Sequence, residues 1–159
     1  MKIFLLILLV VVIMLIAKGV ANQYKEKNLF YVAILQFLNA YELNIGFKKE
    51  KIKSLVEKQN FTSRECKILF DEYLGYLRGQ NELSFEKIKV ISYEERELLI
   101  DLFVNLGTGD YSSEMTQLSV FKSLIQNKID NTEKESLKNY PLIIKLSFLF
   151  SLGLALVFI

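Results

Sequence analysis

Apolar residues crowd both ends of this 159-residue chain, and no other feature of the sequence constrains its fold as strongly. Residues 3–17 form an unbroken apolar run, and residues 146–159 carry no charge. The first run is about 22 Å long as a helix, and it reaches membrane-spanning length if Lys18 snorkels to the interface and the helix continues. We therefore predict transmembrane helices over residues 1–22 and 141–159.

A cleavable signal peptide is the alternative interpretation of the first apolar segment. Lys2 supplies a basic start, and residues 19–21 resemble a small-residue cleavage site. Lys18 argues against cleavage because charges are unusual next to such sites, and a second apolar segment suits a protein that stays in the membrane. Cleavage would leave a secreted helical domain with a C-terminal anchor, whereas retention leaves two membrane helices.

Lysines lie mainly on the inner side of each apolar segment. Only Lys2 precedes the first segment, whereas several lysines follow it within a few residues. The lysines that precede the second segment are Lys128, Lys134, Lys138 and Lys145. Basic residues next to a membrane helix favour the cytoplasmic side. Both asymmetries therefore predict an integral protein of the cell membrane with its central region in the cytoplasm.

The central region, residues 23–140, has the character of a helical bundle. Its 118 residues contain no proline, since the one proline of the chain is Pro141. Proline interrupts helices, so its absence over this length favours a helical region. Residues 62–65 and 92–95 have the sequence of capping boxes, which mark the starts of helices. The predicted fold class is all-α, a membrane protein with N- and C-terminal transmembrane helices that flank a cytoplasmic helical bundle.

Apolar stripes at helical spacing predict the remaining elements. The expected segments are residues 29–45, continuous with the first membrane helix, and the short segments 48–59 and 84–90. The helices that follow the two capping boxes are expected to end near Gly79 and Gly107, since glycine favours the residue after a helix. A last helix, capped by Asp110 or Ser112, is expected to run on into the second membrane segment.

The composition excludes most common kinds of chemistry. Histidine is absent and Cys66 is the single cysteine, so the chain has no internal disulfide, no common transition-metal donor set and no histidine base. A formal net charge of +2 argues against binding to nucleic acid. Residues 107–110 resemble a phosphate-binding turn but lack the Lys-Ser/Thr of a Walker loop. We therefore predict a non-enzymatic protein without cofactor, metal or small-molecule substrate.

Two groups of residues are candidates for interactions. An acidic helical segment and the turn after it predict a partner-binding surface formed by Glu94, Glu95, Glu97, Asp101, Gly107 and Asp110. Small residues in the apolar ends predict close packing between membrane helices at Gly19, Ala21, Gly153 and Ala155. Membrane lipid is the further expected contact of these ends.

The layout of the chain and the segment LFVNLGTGD, residues 102–110, resemble the stage III sporulation protein AB family of endospore-forming bacteria. That family carries a Leu-Gly-x-x-Asp turn at this distance from a C-terminal apolar segment, as residues 106–110 do here. Lys138-Asn139 and Gly153 also match positions where the family tends to carry a lysine-containing pair and a glycine.

The resemblance implies a function. Such proteins are membrane platform components of the secretion-like channel apparatus that links mother cell and forespore. Their soluble domain is similar to the cytoplasmic helical domain of the type II secretion platform protein. The implied partners are the stage III sporulation protein AA ATPase and other channel membrane proteins, with the soluble domain on the mother-cell side of the outer forespore membrane. A platform component of a secretion or pilus system outside sporulation is the alternative.

Overall fold

The computed structural model describes residues 2–47, 52–59, 61 and 63–158, without the side chains of residues 2–7, 9, 46–47 and 155–158. Five helices occupy this described part. They are α1 (Lys2–Phe47), α2 (Ile52–Lys58), α3 (Arg64–Leu77), α4 (Tyr93–Asn105) and α5 (Tyr111–Phe158). The all-α prediction is confirmed, since the described residues form helices and connecting turns without a strand.

The chain divides into two compact units. Unit 1 comprises residues 1–26 and 130–159, and unit 2 comprises residues 27–129. The predicted membrane segments 1–22 and 141–159 both fall within unit 1. Helices α1 and α5 contribute residues to both units, which confirms that residues 29–45 continue the first helix and that the last helix continues into the second apolar segment.

Aromatic side chains form much of the core of unit 2. Phe37 from α1, Phe70 and Tyr73 from α3 and Phe103 from α4 are all buried. The ring centroids of Phe37 and Phe70 lie 4.9 Å apart, and those of Tyr73 and Phe103 lie 4.6 Å apart. Buried aromatic rings contribute large apolar areas. The helices of unit 2 are therefore joined at their centre by ring-to-ring contacts.

Glycine and short polar residues end and start the helices of unit 2 largely as predicted. Gly79 and Gly107 follow α3 and α4 with φ angles of +71° and +81°, a conformation that favours glycine. Ser92 and Glu95 form the predicted capping box at the start of α4. Of the two predicted caps for α5, Asp110 is the one used, because its Oδ1 accepts a hydrogen bond of 3.3 Å from the Ser113 amide.

The predicted capping box at residues 62–65 involves Thr62, which lies outside the described residues. The N-cap of α3 is Ser63, whose side chain makes no capping hydrogen bond. The carboxylate of Glu65 accepts a hydrogen bond of 3.0 Å from the amide of Lys89. Glu65 therefore contacts a residue 24 positions later, which the local pattern did not suggest.

The predicted helix over residues 84–90 is wrong, because this segment is a loop. Oε1 of Glu72 on α3 accepts hydrogen bonds of 2.7 Å from the amides of both Ser84 and Phe85. Phe85 has a φ of +50° and a fully buried ring. A carboxylate on α3 therefore satisfies amides that a helix would have left unpaired at its first turn. Of the other short predicted segment, residues 52–58 form α2, and residues 48–51 lie outside the described part.

Unit 1 consists of α1 up to residue 26 and α5 from residue 130. Its buried residues include the small side chains of Ala17, Ala21 and Ser151. Ser151 Oγ donates a hydrogen bond of 2.7 Å to the carbonyl of Ser147 one turn earlier, so its hydroxyl is satisfied within the helix. Pro141 lies inside α5, which continues on both sides of it.

Large apolar side chains lie exposed on both helices of unit 1. They are Leu8, Val11, Val12, Leu15, Ile16 and Val20 on α1, and Leu137, Tyr140, Leu142, Leu146, Phe148, Leu149, Phe150 and Leu152 on α5. Exposed fractions reach 72%, at Leu137. A search of the described residues finds no helix that combines the length and the apolarity needed to cross a membrane.

Candidate interaction surface and the charged clusters beneath it

Three acidic side chains of α4 are exposed on one side of the helix. Glu94, Glu97 and Asp101 follow each other at intervals of three and four residues, which places them on the same helical face. Asp101 Oδ1 accepts a hydrogen bond of 2.8 Å from the side-chain amide of Asn105. We call Glu94, Glu97 and Asp101 the acidic face. It contains three of the six residues predicted to bind a partner.

Glu95 differs from the acidic face because its side chain points into unit 2, where the residue is only 7% exposed. Its Oε2 lies 2.9 Å from Nζ of Lys27 on α1, and its Oε1 lies 3.1 Å from Nζ of Lys128 on α5. Oε2 also accepts a hydrogen bond of 2.9 Å from the Ser92 amide, as the capping box requires. Glu95 therefore joins three helices and is not part of the exposed surface.

The surroundings of Glu95 hold its carboxyl group ionised. Burial, the largest single influence, raises its pKa, but the Ser92 amide and the two lysines oppose this effect. Together they lower the pKa of Glu95 to about 2. A buried carboxylate with two cationic partners and a capping amide has its acceptor sites well occupied, which is the condition for a buried charge to be tolerated.

Tyr31 lies next to this cluster, buried on α1. Burial and the neighbouring charge of Glu95 raise the pKa of its hydroxyl, which stays protonated at all ordinary pH values. The hydroxyl makes no hydrogen bond of ordinary geometry. Asn28, three residues earlier on α1, donates a hydrogen bond of 3.1 Å to the carbonyl of Ile129 on α5. Polar contacts therefore fix α1 and α5 to each other and to α4 in this part of unit 2.

The turn at residues 107–110 is held in place by a second carboxylate. Glu114 Oε1 accepts hydrogen bonds from the Tyr41 hydroxyl and from the Gly107 amide. A Cβ atom on Gly107 would lie 2.7 Å from Cδ1 of Ile52, and its φ of +81° disfavours other residues. Gly107 and Asp110 are therefore structural parts of the turn, the first through its lack of a side chain and the second as the cap of α5.

Two buried tyrosines adjoin this turn. Burial raises the pKa of Tyr41, and its hydrogen bond to the Glu114 carboxylate raises it further. Burial also raises the pKa of Tyr73, with smaller contributions from Tyr76 and Glu114. Both hydroxyls therefore remain neutral, and neither phenol is set up to act as a base.

The four small residues predicted to pack membrane helices occupy different surroundings. Ala21 is fully buried, whereas Gly19 and Gly153 are exposed and a Cβ atom on either would meet nothing within 4 Å. The side chain of Ala155 lies outside the described residues. The packing role of these residues stays a prediction.

The sequence pattern did not reveal the basic partners of Glu95 or the role of Glu114. Lys27 and Lys128 lie 101 positions apart, and each stands in a lysine-containing helical segment that reads as a solvated face. Lys122 and Glu42 form a comparable long-range pair, with 2.7 Å between Nζ and Oε2. Only the tertiary fold brings such residues together, so no local signal was present to identify them.

A groove of about 480 Å³ lies between α3 and the loop that follows it. Its lining includes Asp71, Glu72 and Lys87, and Glu72 already accepts the two loop amides. Among the residues that the structure describes, no three carboxylate or thiol groups are arranged to hold a metal ion. Comparison with family models, curated proteins and solved structures gives no match for this chain.

Proposed function

We propose that the protein is a membrane-anchored helical scaffold that binds a partner protein and catalyses no reaction. Residues 1–22 and 141–159 cross the bilayer in this proposal, and the central helices lie in the cytoplasm. The observation that carries it is the set of large apolar side chains exposed on both helices of unit 1.

Such a surface is costly in water and favourable in lipid. Exposed apolar area costs roughly 25 cal/mol per Å², and extended apolar patches mark contacts with lipid or protein. Leu15 and Ile16 on α1 are each more than 60% exposed, as are Leu149 and Phe150 on α5. Two helices of one unit that both expose residues of this kind suit a bilayer better than a single protein partner, because lipid can surround both.

The spans themselves are inferred from the sequence. The apolar runs cover residues 3–17 and 146–159. The structure does not describe the side chains of residues 2–7 and 155–158, so part of each run is known from the sequence alone. Lys18 and Lys145 lie near the inner ends of these runs, both exposed, where their ammonium groups can reach the headgroups. The lysine asymmetry supports a cytoplasmic central region.

The acidic face is the proposed partner-binding surface. Glu94, Glu97 and Asp101 are exposed, whereas Glu95 is buried. Gly107 and Asp110 are exposed as well, but they form the turn and cap α5. Exposed carboxylates attract a basic partner surface and accelerate its association more than they add affinity. Recognition through a rigid α4, fixed at Glu95 to two further helices, needs no ordering of the scaffold on binding.

The resemblance to the stage III sporulation protein AB family gives this scaffold a place in sporulation. In that role it belongs to the channel between mother cell and forespore and binds the stage III sporulation protein AA ATPase. The turn at residues 106–110 and its distance from the C-terminal apolar segment support the assignment. Genes for other channel components next to this gene would support the sporulation role, whereas genes for a secretion or pilus system would support the alternative platform role.

Cysteine labelling of the full-length protein in cells tests the topology. Gln80 lies in the exposed turn after α3, and Cys66 is buried, so Gln80→Cys adds one accessible thiol. We expect a membrane-impermeant maleimide to label this variant only after the cells are opened, and we expect carbonate washing to leave the protein in the membrane.

A cysteine at the exposed Lys53 on α2 provides a second position in the central region, and the unsubstituted chain measures background labelling of Cys66. Labelling of Gln80→Cys in intact cells would place the domain outside and support the signal-peptide alternative. Release of the protein by carbonate would overturn the membrane anchor.

A further inference from the structure

The outer face of α5 within unit 2 is free of charge over more than four helical turns. Every exposed residue between 111 and 127 is uncharged. We define the α5 face by Ser113, Thr116, Val120, Ser123, Leu124 and Asn127, which follow each other at helical spacing. The exposed sides of α3 and α4 differ sharply, since they carry residues such as Lys67, Asp71 and Glu97.

Both charged side chains of this stretch of α5 are used inside the molecule. Glu114 accepts hydrogen bonds from Tyr41 and Gly107, and Lys122 forms its ion pair with Glu42 on α1. Neither residue is exposed. The helix therefore directs its charges to intramolecular partners and presents a neutral surface, although the exposed side of a helix in water is ordinarily charged.

Two hydroxyl groups of α5, that of Thr116 on this face and that of Ser119 beside it, are already satisfied. Thr116 Oγ1 donates a hydrogen bond of 2.9 Å to the carbonyl of Ser112, and Ser119 Oγ donates one of 2.7 Å to the carbonyl of Thr116. Covering these two hydroxyls strands neither, which lowers the cost of burying them. Val120 and Leu124, 54% and 38% exposed and one turn apart, form an apolar centre.

We propose that the α5 face pairs with the α5 face of a second copy of this chain. In a two-fold dimer, each residue near the symmetry axis meets its own copy, so any charge there would face a like charge. A neutral face avoids that repulsion, and side chains such as Asn127, which both donate and accept hydrogen bonds, can pair with themselves. Depletion of charge around an apolar centre is also the composition expected of an interface core.

The membrane fixes the geometry of this pair. Two copies anchored in one bilayer share one orientation, so their α5 helices run parallel and Val120 of one copy meets Val120 of the other. This geometry rests on the proposed function, whereas pairing through the α5 face does not. One helix pair buries less area than a standard interface, and confinement in the bilayer compensates by raising the local concentration.

Disulfide crosslinking in membrane vesicles tests the pairing with the full-length protein. In a Cys66→Ala background, vesicles that contain the Val120→Cys or the Leu124→Cys variant are treated with an oxidant. The monomer and the covalent dimer are then separated by gel electrophoresis without reductant. A disulfide requires Cα atoms within about 7 Å, so we expect at least about a tenfold excess of covalent dimer over the control Glu97→Cys on α4. Equal yields from α5 and α4 would indicate random collision and overturn the proposal.

A second variant guards against misfolding and separates this inference from the proposed function. Val120→Lys places like charges at the axis, and we expect it to reduce crosslinking of Leu124→Cys about tenfold while the protein stays carbonate-resistant in the membrane. Undiminished crosslinking would contradict pairing through this face. Release of the unsubstituted chain by carbonate would count against the anchor alone. In that case about a tenfold excess of covalent dimer for Leu124→Cys over Glu97→Cys in detergent would still support the pairing, and equal yields would overturn it.

Discussion

At the scale of single residues, burial decides what each carboxylate of α4 can do. Glu94 and Glu95 are neighbours in sequence, yet one faces solvent and the other meets Lys27 and Lys128 inside unit 2. An exposed carboxylate contributes little to stability, whereas a buried one with two cationic partners becomes costly to remove. The same residue type therefore serves the surface at one position and the fold at the next.

Replacing Glu95 with Gln is expected to destabilise the protein by roughly 2–3 kcal/mol at pH 7, because Lys27 and Lys128 lose their anionic partner. The amide of Gln can still occupy the capping position, which limits the loss. Glu97→Gln is the matched control on the exposed side of the same helix and is expected to change stability by less than about 0.5 kcal/mol. Thermal unfolding of full-length protein in detergent, followed by circular dichroism, measures both.

The effect of Glu95 depends on pH in a defined direction. Its pKa in the folded protein is about 2, below the ordinary value of 4.5, so the contribution of the carboxylate is complete above about pH 5. It is lost progressively as the pH falls towards 2. The stability gap between the unsubstituted chain and Glu95→Gln should therefore shrink between pH 5 and pH 2, and a constant gap would contradict the role assigned to this charge.

At the scale of elements, a carboxylate on one helix determines the path of the following loop. Glu72 accepts the amides of Ser84 and Phe85, and Glu65 accepts the amide of Lys89. The buried ring of Phe85 contacts the aromatic core, with 5.8 Å between its centroid and that of Phe103. The loop is thus held by α3 at its backbone and by the core at one side chain.

Replacing Glu72 with Ala is expected to loosen this loop locally. Losing two backbone hydrogen bonds to a carboxylate costs about 2 kcal/mol, which corresponds to roughly 30-fold faster hydrogen exchange at the Ser84 and Phe85 amides. Exchange measured by mass spectrometry on peptides from the loop tests this. Asp71→Ala, on the exposed side of α3, is the control, and an equal increase for that variant would rule out a specific role for Glu72.

The sequence predicted those elements whose signals are local. Helical apolar spacing, glycine at Gly79 and Gly107 and the Ser92–Glu95 box identified all five helices of the described part and most of their ends. It failed where distant groups decide the structure. Residues 84–90 carry enough apolar residues for a helix, but the carboxylates of Glu65 and Glu72, more than ten positions earlier, accept amides of this segment, which is a loop.

The candidate surface was predicted less completely for the same reason. An acidic run in a helix shows that carboxylates are abundant, but it does not show which of them are buried in contacts within the protein. Glu94, Glu97 and Asp101 remain exposed, whereas Glu95 is committed to lysines on two other helices. Those lysines are far from Glu95 in the chain and have no distinguishing neighbours.

At the scale of the whole molecule, charge and apolar surface are unevenly shared. Unit 1 exposes large apolar side chains, while the acidic face and the uncharged α5 face both belong to unit 2. These three surfaces are the ones proposed above to contact lipid, a basic partner and a second copy. In that proposal, one scaffold holds its partner at the membrane and pairs with a second copy.

Charge reversal on the acidic face is expected to weaken recruitment of the proposed partner, the stage III sporulation protein AA ATPase, by at least about tenfold, since the reversed charges would repel the basic surface proposed for it. The variant combines Glu94→Lys, Glu97→Lys and Asp101→Lys, all exposed, and a pull-down from detergent at low salt measures it. Reversing Asp71 and Glu82, which are also exposed, is the control. Unchanged recruitment in the folded triple variant would remove the acidic face from the binding site.

Pro141 has a mechanical consequence for α5. Proline has no amide hydrogen, so the carbonyl of Leu137, one turn earlier, lacks the helical hydrogen bond that its neighbours have. That turn is the easiest place for the helix to bend. If the segment beyond it crosses a bilayer as proposed, it can change its tilt to match bilayers of different thickness.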